Sequence, residues 1–239
     1  MKKIIYSLVA VVLFSATALA QKTFNDVNAE KRTVSSFHGI EVGTGIELVL
    51  TAGNVEDVAV SADKPEYRNK IITKVENGIL KIHYETKSGA VNKTKETKNL
   101  KAYVSYKSLD KLDANTGAEV NIVGVLKSPK LDLNANTGAL VNGKVDIDVL
   151  GISQNTGSKI TLSGSANKLE IEGSTGSKFS GLEMSTTNCS VKVSTGAIIS
   201  VNADNKIEAK ASTGGIVKYK GNPSVKEIKK NTGGTVSKI

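Results

Sequence analysis

The chain has 239 residues, with 32 Lys and Arg against 23 Asp and Glu, a formal charge of +9, one Cys, two His and no Trp. A lone Cys builds neither a disulfide framework nor a Cys-rich zinc site, and two His are too few for a His-rich metal centre, so no metal or other cofactor is expected. With 22 Gly, four Phe, six Tyr and a 39% hydrophobic fraction, the composition favours short strands and tight turns over a helical bundle and excludes wholesale disorder.

In chain order, residues 1–20 read as a secretory signal: Lys2 and Lys3, an apolar run from Ile4 to Phe14, and a small-residue end at Ala18-Leu19-Ala20. The apolar run is short for a transmembrane span, and nothing later approaches the length of about 20 residues that one needs. Residues 21–110 are expected to form an irregular β opening. Ile40/Val42 and Ile46/Leu48/Leu50 alternate around Gly43-Thr44-Gly45, Asn77-Gly78 marks a hairpin turn leading into Ile79–Tyr84, and Ala102–Tyr106 is a further strand. The polar stretch from Lys87 to Lys98 reads as an exposed loop.

Residues 111–239 are repeats. The tripeptide Asn/Ser-Thr-Gly recurs with its glycine at Gly117, Gly138, Gly157, Gly176, Gly196, Gly214 and Gly233, at spacings of 21, 19, 19, 20, 18 and 19. A period near 20 signals stacked coils. Five residues before each glycine stand Leu112, Leu133, Ile152, Ile171, Val191, Ala209 and Ile228. Three after it stand Val120, Val141, Ile160, Phe179, Ile199, Val217 and Val236. The apolar columns alternate with polar ones, the period-two mark of half-buried strands. The expected fold is therefore all-β, a parallel β-helix or β-solenoid, right-handed by crossover preference, with two short strands per coil of about 19 residues. Glycine at the corner answers either to positive φ or to crowding by the next coil. The small residue that always follows favours crowding, and Thr and Asn/Ser are expected to form side-chain ladders along the stack.

No residue pattern demands catalysis or metal binding. The outward acids Asp113, Asp132, Glu170, Glu172, Glu208 and Glu227 are interrupted by Lys, Gly and Ser, and the column six before the glycine is read as lacking acids adjacent from coil to coil. They therefore make a solvated face rather than a cation site. His38 and His83 lie on different strands, Cys189 falls in an inward column, and the corner serines have no His partner. Lysine outnumbers acid 18 to 12 across residues 101–239, yet Phe179 and Tyr219 point inward, so nucleic-acid binding is not expected. The excess fits an acidic-glycan or anionic-surface partner. It also fits protection of the open last coil, where Lys226, Lys229, Lys230 and Lys238 sit, so the expectation is either a charged, unpaired terminal coil or an end-to-end homo-oligomer formed through it.

The exported chain, the Phe37-Ile40-Val42-Ile46-Leu48-Leu50 opening, the Asn77-Gly78-x-Leu80-x-Ile82 segment and the serial Thr-Gly corners resemble the head-GIN domain family, described as putative autotransporter adhesin heads. The resemblance covers about residues 33–236. It implies a right-handed parallel β-helix with glycine corners and a role in cell-surface adhesion, and it brings no catalytic residues. The expected function is thus a non-enzymatic envelope or surface protein that presents a rigid β-helix face. A carbohydrate-active β-helix enzyme and a periplasmic structural or signalling component are the alternatives.

Overall fold

The computed structural model describes residues 26–86 and 97–239. The segment read as an export signal and most of the Lys87–Lys98 loop lie outside the described residues. The strands, in chain order, are β1 (Glu30–Arg32), β2 (Gly39–Val42), β3 (Glu47–Ala52), β4 (Asp57–Ser61), β5 (Ile71–Glu76), β6 (Ile79–Tyr84), β7 (Lys101–Tyr106) and β8 (Lys111–Ala114). The repeat region supplies β9 (Glu119–Ala135), β10 (Leu140–Gln154), β11 (Lys159–Gly173), β12 (Lys178–Val193), β13 (Ile198–Ala211), β14 (Ile216–Lys220), β15 (Val225–Lys230) and β16 (Thr235–Lys238). They wind into a β-solenoid of about seven turns with coils of about 19 residues.

Stacking is parallel and in register, so each apolar column of the sequence becomes a vertical stripe of core. Ile152 lies between Leu133 and Ile171, and Val141 between Val120 and Ile160. Leu131, Leu150, Leu169, Cys189 and Ile207 form a second stripe, and all are buried. A fully buried Leu or Ile contributes about 1.5–3 kcal/mol, and no coil could bury its own stripe without a neighbour.

Each Asn/Ser-Thr-Gly corner is a type I′ turn. Thr156 has φ +47° and Gly157 φ +69°, and the amide of Ser158 donates to the carbonyl of Asn155 at 3.1 Å. The same pair of positive φ angles recurs at Gly117, Gly138, Gly176, Gly196, Gly214 and Gly233. Crowding does not explain these glycines. A Cβ on Gly157 would meet nothing within 4 Å, whereas one on Gly234, the residue that follows the corner glycine in the last repeat, would fall 2.2 Å from the Ala211 carbonyl oxygen. The turn needs glycine for its backbone angle, and the crowded position is the small residue after it. The corner ladder is also mainly backbone: the Gly157 amide donates to the Thr175 carbonyl, and the Gly176 amide to that of Thr195, each at 3.0 Å. Ser194 Oγ to Ser174 Oγ, 3.4 Å, is a coil-to-coil side-chain bond between corner residues.

Where two short strands per coil were expected, β9 to β13 run for 14 to 17 residues from one corner to the next. Bulges rather than strand breaks bend them. The register slips between Asn142 and Lys144, between Thr161 and Ser163, and between Gly181 and Ser185. Those slips absorb the coil-length variation, leaving the corners aligned.

The two ends differ. β2, the Gly45 corner and β3 form a coil against which β8 and β9 stack on one side and β6 and β7 on the other. Beyond that, β4 pairs antiparallel with β7, β1 with β4, and β5 with β6. Antiparallel strands therefore cover the N-terminal end. At the other end β15 pairs with β13 alone and β16 with β14 alone among the described residues. Every residue of β15 is exposed, including Ile228 at 40%, whose column predicts a core position. Its outer side has no described strand to cover it.

Candidate functional site: a lysine-lined groove along the corners

A groove of about 590 Å³ runs down the outside of the stack beside the corners, from Asn136 to Asn231. Strand alternation builds it. The column four before each corner glycine points outward and forms one wall, as Ser153, Glu172, Lys192, Lys210 and Lys229. The column two before forms the other, as Asn155, Ser174, Ser194, Ser212 and Asn231. Between them lie Gln154, Gly173, Val193 and Ala211, the last three short enough to leave a depression between the two walls.

The wall changes sign along its length. Lys192 is in direct register with Lys210, and Lys210 with Lys229. Lys192 is held by Glu172 one coil away, Nζ to Oε1 2.6 Å, and that bond raises the lysine pKa. Among the described residues Lys210 and Lys229 close no ion pair. The acid nearest in sequence to Lys210, Glu208, is engaged by Lys206, which lowers its pKa. Like charges stacked in register repel, so the C-terminal half of the groove is a strip of positive potential rimmed by hydroxyls and amides.

The outward acids do not converge on a site. Asp113 pairs with Lys111, Asp132 with Lys130 and Glu170 with Lys168. Glu208 and Glu227 are register neighbours, contrary to the expectation that no acids of that column adjoin, and Lys206 bridges both. Among the described residues no group of three or more His, Cys, Asp or Glu could hold a metal ion. His38 Nδ1 lies 2.7 Å from Asp110 on the surface, while His83 is exposed on β6. Cys189 is buried, and burial pushes its thiol up to about 12, far from a nucleophile's range. A second depression, about 800 Å³, is lined by Asp26, Glu47 and Asp63 together with Lys98 and Lys101. Tyr103 donates to Asp26 and Lys101 pairs with Glu47, and with Glu119 also in the lining the acids there outnumber the lysines. No described helix is long and apolar enough to cross a membrane.

The sequence places the three lysines in one column, but that column taken as a whole, from Asp113 to Lys229, has mixed signs. The telling signal is their order: the positive residues occupy three consecutive coils. What the sequence does not supply is the depression, which depends on the small residues of the neighbouring inward column.

Comparison with solved structures shows the same fold. A Bacteroides fragilis protein called a putative adhesin superposes with a TM-score of 0.79 at 20% identity, covering 88% of this chain and 96% of that one. A putative adhesin from Parabacteroides merdae gives 0.69 at 17%, covering 88% and 95%. A Parabacteroides distasonis protein called a putative lipid binding protein gives 0.64 at 19%, covering 90% and 98%. No curated protein sequence gives a significant match. The model of one family matches residues 36–223, nearly the whole stack of coils, and the chain belongs to that family, described as "Putative auto-transporter adhesin, head GIN domain".

Proposed function

We propose that this chain is a non-enzymatic, exported protein of the cell envelope or cell surface that uses the outer face of its solenoid to contact surface glycans. The observation that carries the reading is the groove itself: an open, polar, positively charged channel on a stack whose spacing is fixed by in-register pairing. Such a surface binds without moving parts, and no carboxylate pair or activated nucleophile faces it. Membership in a family described as adhesin heads supports the same reading. Protease shaving of intact cells tests the location: loss of the full-length protein supports surface display, while survival until the outer layer is breached puts it inside the envelope and refutes display.

The reading extends to self-association. With the N-terminal end covered by antiparallel strands, end-to-end contact between copies would run through the last coil of each, tail to tail. Its lysines oppose this at low salt, so sedimentation velocity should show a monomer at low ionic strength and dimer formation as salt screens the repulsion. A monomer under all conditions would refute association.

A further inference from the structure

We infer that the C-terminal half of the groove is a binding site for a linear acidic glycan bearing one carboxylate per sugar, with Lys210 and Lys229 holding its carboxylates and Lys192, paired with Glu172, at the edge of the site. This rests on the proposed role in glycan contact and names the site and the chemistry. Three observations carry it.

The first is spacing. Lys192, Lys210 and Lys229 are register partners in consecutive coils, so their Cα atoms step by the strand separation of about 4.8 Å. One sugar of an extended chain advances by a similar distance. Successive sugars are rotated about the chain axis, so a polymer lying along the stack supplies one carboxylate per coil of its length, and the flexible lysine stems reach those that turn toward the wall.

The second is charge. Lys192 already has Glu172 as a partner, while Lys210 and Lys229 stand free of ion pairs among the described residues and repel each other. An anion threaded between them relieves that repulsion. A second copy of this chain is a poor occupant, because its own last coil carries Lys226, Lys229, Lys230 and Lys238.

The third is the rim. Ser174, Ser194, Ser212 and Asn231 supply hydroxyl and amide groups opposite the lysines, which donate to and accept from sugar hydroxyls. The groove lining holds no aromatic ring, so recognition rests on charge and hydrogen bonds, and the affinity must fall as salt rises.

The test is titration calorimetry of the purified protein with de-esterified hexagalacturonate, its methyl ester, and a hexaglutamate peptide. The acidic sugar should bind at low salt, and both the ester and the peptide should bind about tenfold or more weakly. The double variant Lys210→Glu/Lys229→Glu should lose about tenfold or more in affinity. Lys159→Glu/Lys178→Glu, the same charge change on the far side of the corner, should stay within about twofold. All four lysines are exposed, and an unchanged circular dichroism melt shows that each variant folds. Equal losses in the two double variants would assign binding to net charge and overturn the site. Equal binding of hexaglutamate, or binding of phosphatidylglycerol vesicles without the sugar, would overturn the glycan. A shaved surface protein that ignores hexagalacturonate refutes this site and leaves the surface role standing; a periplasmic protein that binds it does the reverse.

Discussion

Two glycines seven residues apart in one coil separate backbone strain from steric clash. Gly157 has φ +69° and open space where a Cβ would go, whereas Gly164 has φ +105° and would place a Cβ 2.0 Å from the carbonyl oxygen of Val145, its register partner in the preceding coil. For Gly157→Ala the left-handed backbone costs about 1–2 kcal/mol, partly offset by about 0.4–1 kcal/mol from the stiffer unfolded chain. A net loss of about 1 kcal/mol remains. For Gly164→Ala the overlap is with main chain that cannot rotate away, so the coils must part locally, and the loss should reach about 4 kcal/mol or more. At about 2–4 °C per kcal/mol for a protein of this size, Gly157→Ala should lower Tm by a few degrees and Gly164→Ala by at least about 8 °C. Thermal and urea melts followed by far-UV circular dichroism measure both. Hydrogen exchange at the corner amides would show whether the loss stays within neighbouring coils, as expected when each coil contacts only its neighbours. If Gly157→Ala proved as damaging as Gly164→Ala, the corner glycines would be crowded after all, and backbone angle would not be the reason for them.

Buried polar atoms give a gain instead of a loss. Ser158 Oγ and both side-chain amide atoms of Gln154 are buried without a hydrogen-bond partner, and the Ser158 column holds Ala118, Ala139 and Ala197 elsewhere, all buried. Ser158→Ala and Gln154→Met should each stabilise by about 1–3 kcal/mol in urea melts; a loss in both would show that these groups are satisfied. The Cys189 thiol, pushed up to about 12 by burial, should resist a thiol-specific disulfide reagent at pH 8 in the native state and react only after denaturant is added, whereas prompt native reaction would mean that the stripe opens. Hydrogen bonds from Lys74 and then Lys81 hold the Glu76 carboxyl down at about 2. Because its folded pKa lies below the ordinary value of 4.5, its stabilising contribution is complete above that value and fades as pH falls toward 2, so Glu76→Gln should flatten the acid limb of the stability profile. An unchanged limb would show that this exposed cluster contributes nothing measurable.

The regular coils were legible because their determinants are local and repeated: an apolar residue at a fixed offset from Thr-Gly has the same neighbour in the next coil, so one column predicts one stripe of core. Ile228 departs from its column for the same reason, since the pattern marks a strand face and says nothing of whether another coil covers it. The bends were hidden too. Gly143 and Gly181 share one offset from their corners and Gly164 stands two residues further on, and the register slips near them compensate for coils of different length, a feature that emerges only when neighbouring coils are compared. The detour of residues 53–110 was beyond reach on similar grounds. β2 takes partners on both sides, β6 and β8, whose first paired residues, Ile79 and Lys111, both face Gly39, and nothing in the local pattern orders them.

The candidate site follows from a property of the stack that a roll of charges conceals. In a solenoid, a residue's neighbours in space lie one coil away, so a column's order matters more than its composition. Asp113, Asn134, Ser153, Glu172, Lys192, Lys210 and Lys229 sum to a nearly neutral column, yet the acids lie toward the capped end and the lysines toward the open one. Glu172 is spent on Lys192, and the positive end is left without an ion-pair partner among the described residues. Of the lysines of the last coil, Lys229 also stands in one wall of the groove. Edge protection would account for Lys226 and Lys238 but not for Lys192 and Lys210, which lie in strands already paired on both sides; Lys192 has its partner in Glu172, and the proposed anionic ligand would supply one for Lys210.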